Sequence, residues 1–93
     1  MSVYVGPLFD TQIYGSSWKW GQACHLLADT ERELHEMALR LKLKRSWFQN
    51  RNCPHYDLTA SKRTKALKNG AVELDSRQEG LKLRELRLKR RTQ

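Results

Sequence analysis

The sequence predicts an α/β fold: a small, mostly parallel sheet with helices, plus a basic C-terminal helix. Three observations predict it. Short apolar runs rich in Val, Leu and Tyr alternate with helical patterns of about ten residues, the rhythm of helices laid over a sheet. Strand–helix–strand connections cross over right-handed, which makes at least part of such a sheet parallel. At 93 residues the chain suits one domain, with residues 1–78 as its body and 79–93 as a basic helix or tail.

The elements follow in chain order. "VYVGPL" alternates Val3 and Val5 around Tyr4 and stops at Gly6-Pro7, which reads as a short strand and a turn. Residues 10–22 hold Gly15, Ser16, Ser17 and Gly21, a loop that also carries Trp18 and Trp20. Two aromatics of that size are not expected both to face water. Ala23 to Ala28 forms a buried strand.

"DTERELHEMALRLKL" is the clearest helix. Thr30 and Glu33 have capping-box spacing, and Leu34, Met37, Ala38 and Leu41 make one apolar stripe. Acids lie early and Arg40, Lys42, Lys44 and Arg45 late, as the helix dipole favours. "SWFQNRNCP" is irregular, and "HYDL" is a short strand. Thr59 caps a second helix over about 60–69, with Ala66 and Leu67 inward and Gly70 as the left-handed stop. "AVEL" is another strand, and Ser76 with Glu79 opens the last helix from about Arg77. There Leu81 and Leu88 fall on one face, Leu83 and Leu86 on another.

The separated motifs "CHLLADTERELHEMALRL", "SWFQ", "PHYDLT" with "KR" and "AL" beyond it, and "AVELDSR" resemble a small bacterial and phage family labelled domain of unknown function 4031. The resemblance runs over roughly residues 3–78 and leaves the basic tail outside it. It implies a fold and a set of polar positions, with no activity attached. Gly6 stands where that family more usually has an acid, which removes a carboxylate from the end of the first strand.

Charge divides the chain. Residues 1–39 carry Lys19 and Arg32 against five acids, a net of −3, whereas residues 40–93 carry sixteen bases against five acids, a net of +11. A cationic half of this kind points to a phosphate-bearing polyanion, nucleic acid or nucleotide; a solvated tail that aids solubility is the plainer alternative. The expected contacts are Arg45, Trp47, Lys62, Arg63, Lys65, Arg84, Arg87 and Arg90. Trp47 is placed to stack on an unpaired base, while Phe48 belongs to the core. No helix-turn-helix, finger or RNA-recognition signature is present, so sequence-specific reading is not expected.

A second expectation gathers His25, Asp29, His35, His55 and Asp57 into one pocket, with Arg63 beside it. Histidine oriented by a carboxylate moves protons near neutral pH, which would make a small phosphate-handling hydrolase. The alternative has the aspartates capping turns and the histidines as half-buried neighbours. No nucleophile elbow, Gly-rich phosphate loop or HExxH pattern names a reaction, and nothing calls for a cofactor.

Cys24-His25 and Cys53-Pro54-His55 supply residues that zinc accepts. Neighbouring residues on a strand point to opposite faces, so no metal site is expected from these pairs. Cys24 reads as a small buried hydrophobe, and two cysteines are too few for a disulfide framework. A third reading has the last helix docking on a protein partner through Leu83 and Leu86. No run of about 20 apolar residues or basic-then-apolar leader occurs, so a cytoplasmic chain without a membrane segment is expected.

Overall fold

The computed structural model describes residues 2–11, 21–50 and 53–91. The expectation for Trp18 and Trp20 therefore lies outside the described residues. The elements are β1 (Val3–Val5), β2 (Phe9–Asp10), β3 (Gln22–Ala28), α1 (Glu31–Arg40), a 3-10 turn (Arg45–Trp47), β4 (Tyr56–Leu58), α2 (Ala60–Lys68), β5 (Val72–Glu73) and α3 (Ser76–Arg91).

β3 is the spine of the sheet. β1 and β2 run antiparallel along one of its edges, pairing Val5 with Leu26 and Phe9 with Ala23. β4 runs antiparallel along the other edge, with Cys24 opposite Leu58, His25 opposite Asp57 and Leu26 opposite Tyr56. Only β5 is parallel to its neighbour, pairing with β1 at Tyr4–Val72 and Val5–Glu73. The sheet is thus mixed and mostly antiparallel, which corrects the expectation of a mostly parallel one. The reason lies in residues 41–55. A helix between two strands makes them parallel only when the strand follows directly on the return. Here an αL turn, the 3-10 turn and a bridge between Gln49 and His55 come between α1 and β4, and β4 enters from the far end of β3.

Strand alternation sorts side chains into two faces. Val5, Cys24, Leu26, Ala28, Tyr56 and Leu58 face α1 and α2 and build the main core with Leu34, Met37, Ala38, Leu41 and Ala66. Tyr4 and Leu27 face the other way, against Leu83 and Leu86 of α3. Helix α3 is therefore a third layer rather than an appendage. Its inward stripe is Glu79, Lys82, Leu83 and Leu86, at i, i+3, i+4 and i+7. Leu86 is 7% exposed, whereas Leu81 and Leu88 are 59% and 50% exposed on the outer side. The leucines expected as docking anchors, Leu83 and Leu86, instead hold the helix to the sheet.

The helix caps follow the sequence with one exception. Thr30 accepts a hydrogen bond from the Glu33 N–H at 3.2 Å and donates its hydroxyl to the Glu33 carboxylate at 2.9 Å. Thr59 accepts from the Lys62 N–H at 3.2 Å, and Gly70 closes α2 with φ 94°. At α3 the cap is Asp75, not Ser76. The Gln78 N–H donates to Asp75 Oδ1 at 2.8 Å, and the Asp75 N–H donates to Gln78 Oε1 at 2.9 Å. This reciprocal pair leaves Glu79 free to turn inward.

Candidate functional site

Because His25 and Asp57 are cross-strand partners and His55 lies two residues before Asp57, all three project from the α3-facing side of the sheet. One donor atom from each lies within 4.8 Å of the others, the sole such group among the described residues. The rings of His25 and His55 meet edge to face with centroids 5.2 Å apart, and Phe9 packs on His25 at 5.3 Å.

Each of the three is oriented from behind. His55 Nδ1 lies 2.9 Å from the Cys53 carbonyl oxygen. A carbonyl only accepts, so Nδ1 carries a proton, and Nε2 lies 3.7 Å from Asp57 Oδ1. Asp57 Oδ2 accepts from the Gln49 side-chain amide, and Gln49 is itself fixed by two 2.9 Å backbone bonds with His55. His25 Nδ1 faces Glu79 Oε2 at 3.4 Å, and neither buried atom has a hydrogen-bond partner. The facing Glu79 carboxylate raises the His25 pKa above its ordinary value, outweighing the opposing effect of burial.

Gly6 explains how Glu79 gets there. A Cβ on residue 6 would stand 1.5 Å from Glu79 Oε2. The helix thus delivers a carboxylate to the end of β1, where Gly6 itself offers none. Reading the sequence missed Glu79 because an acid three residues after Ser76 already had a local explanation as a cap. The signal that would have found it is the Asp75–Gln78 pair, which satisfies the helix start without it.

The other residues expected in this pocket go elsewhere. His35 lies on the opposite face of the sheet, with Nδ1 2.9 Å from the Tyr56 hydroxyl and its ring against Phe48. Burial and the nearby Arg45 charge lower its pKa. Asp29, at the end of β3, ties three segments together. It accepts from the Ser2 N–H at 2.9 Å and the Tyr4 hydroxyl at 3.1 Å, and Lys82 Nζ reaches it at 3.4 Å. A depression of about 280 Å³ lies beside it, bordered by Glu31, Pro54, Leu86 and Lys89, but none of His25, His55 and Asp57 lines it. Asp29 and Glu31 at its rim oppose an anion there, although the α1 N-terminus opens onto it. Cys24 is fully buried toward α1 and α2, away from His25, and burial pushes its thiol pKa up to about 12.

The expected phosphate contacts divide in the same way. Lys62 Nζ donates to the Leu41 carbonyl at 2.6 Å and closes the end of α1. Arg63 donates to the Gly6 carbonyl at 2.8 Å and to Glu73 at 2.9 Å. Both are structural cross-ties. Lys65, Arg84 and Arg87 are exposed and make no ion pair or side-chain hydrogen bond among the described residues, as is true of Arg77. Arg45 lies over the Phe48 ring at 5.6 Å, and Trp47 is 49% exposed with Lys44 over its ring. Phe48 is partly buried against the core, as expected. Arg90 lies in α3, where its side chain is outside the described residues.

A family model described as a protein of unknown function (DUF4031) matches residues 8–86. This chain belongs to that family. The DUF4031 match runs past residue 78 into α3 and takes in His25, His55, Asp57 and Glu79 together, although Gly6 precedes it. No curated protein and no solved structure matches the chain. No helix among the described residues is long and apolar enough to cross a membrane.

Proposed function

We propose that the chain binds nucleic acid or nucleotide phosphate through the outward cations of α3, with Lys65 of α2 as a further contact. The observation that carries this reading is the contrast along α3. Lys82, on the inner stripe, is held by Asp29 and Glu85, while the exposed Arg77, Arg84 and Arg87 form no ion pair among the described residues. Unpaired guanidinium groups on a rigid helix suit phosphate oxygens, because the planar fork matches their spacing. Sequence-independent binding is the expected mode, since phosphate contacts position a protein without reading bases.

Fluorescence anisotropy with a labelled single-stranded oligonucleotide tests it. Affinity should fall steeply from low to physiological salt, with the log–log slope reduced by about 0.7 for each phosphate-contacting cation removed. Arg84→Glu with Arg87→Glu should weaken binding at least tenfold. Lys62→Met should leave it unchanged and lower stability instead. No binding at low salt ends this reading.

A phosphate-handling hydrolase is the second reading, favoured by the ring of His55, which the Cys53 carbonyl orients so that Nε2 faces Asp57. Turnover of a phosphodiester that survives both His55→Ala and Asp57→Asn would dismiss it.

A further inference from the structure

We infer that His25, His55 and Asp57 form a binding site for a divalent first-row transition ion of the zinc class. The inference goes beyond phosphate binding and needs neither a polyanion nor turnover to be tested.

Two imidazoles and one carboxylate are a donor set that such ions accept, whereas magnesium and calcium prefer oxygen alone. Bonds of 2.0–2.2 Å in a tetrahedral shell put donor atoms roughly 3.4 Å apart. His55 Nε2 and Asp57 Oδ1 already stand at 3.7 Å, and the whole trio lies within 4.8 Å. Closing onto an ion therefore requires side-chain adjustments of about an ångström, with no change of strand pairing.

The surrounding shell is the second, independent observation. A ligating histidine normally donates its other ring N–H to a carbonyl or a carboxylate, and a ligating carboxylate is hydrogen-bonded in turn. The bonds to His55 and Asp57 are present, and a carboxylate stands opposite His25. The Cys53 carbonyl holds His55, the Gln49 amide holds Asp57, and the Glu79 carboxylate faces His25. Nδ1 of His25 and Oε2 of Glu79 are both buried and lack a hydrogen-bond partner. An ion on Nε2 withdraws electrons from the ring, makes Nδ1–H a better donor and so gives this pair its bond. Three protein donors leave a tetrahedral ion one open position, the arrangement of zinc sites that act on a ligand rather than only hold a fold. His25, His55 and Asp57 are each partly exposed, which keeps that position reachable from solvent.

The test uses tag-free, chelator-treated full chain titrated with Co²⁺ and followed by visible absorption, then with Zn²⁺ by calorimetry. One equivalent of Co²⁺ should give ligand-field bands without thiolate charge-transfer bands, and Zn²⁺ should displace it. Asp57→Asn and His55→Ala should abolish the bands while circular dichroism stays unchanged. His35→Ala should keep full stoichiometry, because His35 lies on the other face of the sheet. Glu79→Gln should weaken binding about 10–100-fold. Gly6→Ala should do the same, since its Cβ would displace Glu79 Oε2. Absence of saturable Co²⁺ and Zn²⁺ binding would overturn the site. So would thiolate bands, which place the ion on cysteine, or full binding in both Asp57→Asn and His55→Ala. Should His55→Ala fail to fold, the isosteric Asp57→Asn and Glu79→Gln decide the matter.

Discussion

Lys42 ends α1 with φ 60°, a left-handed conformation that costs a residue with a Cβ about 1–2 kcal/mol. It persists because the turn is well bonded. The Lys42 N–H reaches the Leu39 carbonyl at 3.1 Å, and the Leu43 N–H reaches the Ala38 carbonyl at 2.9 Å. The Lys42 side chain is exposed, so Lys42→Gly removes strain without losing a core contact. Thermal unfolding should move up by several degrees, for a gain of about 0.5–1 kcal/mol after allowing for glycine's freer unfolded chain. At this scale the candidate site was half legible. His25 stood in "CHLL" and His55 and Asp57 in "HYDL", where strand alternation puts residues 55 and 57 on one face. What no local pattern showed was that residue 25 would be paired with residue 57, or that Glu79 would arrive from a helix over fifty residues further on.

Helix α3 shows where element-level reasoning erred. Two capping pairs compete at its start, Ser76 with Glu79 and Asp75 with Gln78, and both have the required spacing. The second forms, because Glu79 then reaches the buried space beside Gly6 and His25. Asp75→Ala should therefore cost about 0.5–2 kcal/mol in urea unfolding, and Ser76→Ala only a few tenths. The reverse order would restore the cap read from sequence. The starts of α1 and α2 were legible to the residue, since their caps and apolar stripes agree and lack rivals, but α1 stops at Arg40, short of the Lys42, Lys44 and Arg45 expected late in it. Strand direction was not. It depends on the path through residues 41–55, where neither periodicity nor turn chemistry says which end of β3 the chain will meet.

Across the whole molecule, Asp29 links the N-terminal strand, the spine strand and the outer helix through Ser2, Tyr4 and Lys82. Burial raises its pKa, but the Ser2 and Tyr4 hydrogen bonds and the Lys82 charge together hold it below the ordinary carboxylate value. A depressed carboxylate stabilises the fold above its unfolded pKa, near 4, and this contribution is lost as pH falls through the folded value. Asp29→Asn should be less stable than the parent by about 1–3 kcal/mol at pH 7, the range for hydrogen bonds to charged groups. The gap should narrow below pH 4, which urea titrations at a series of pH values would show. A constant gap down to pH 2 would mean that the charge plays no part. The same linkage bears on the cationic half of the chain: part of its charge fastens the layers through Lys62, Arg63, Lys82 and Lys89, while Lys65, Arg77, Arg84 and Arg87 are exposed.

The parallel pairing of β1 with β5 has a kinetic consequence. Val3–Val5 docks against Val72–Glu73, strands separated in sequence by three other strands and two helices. During synthesis the earliest strand can pair with β3 soon after residue 28 emerges, but its outer edge stays open until residues 72–73 leave the ribosome. Until that late closure the nascent chain exposes an unsatisfied row of backbone groups, the interval in which a holdase has most to protect.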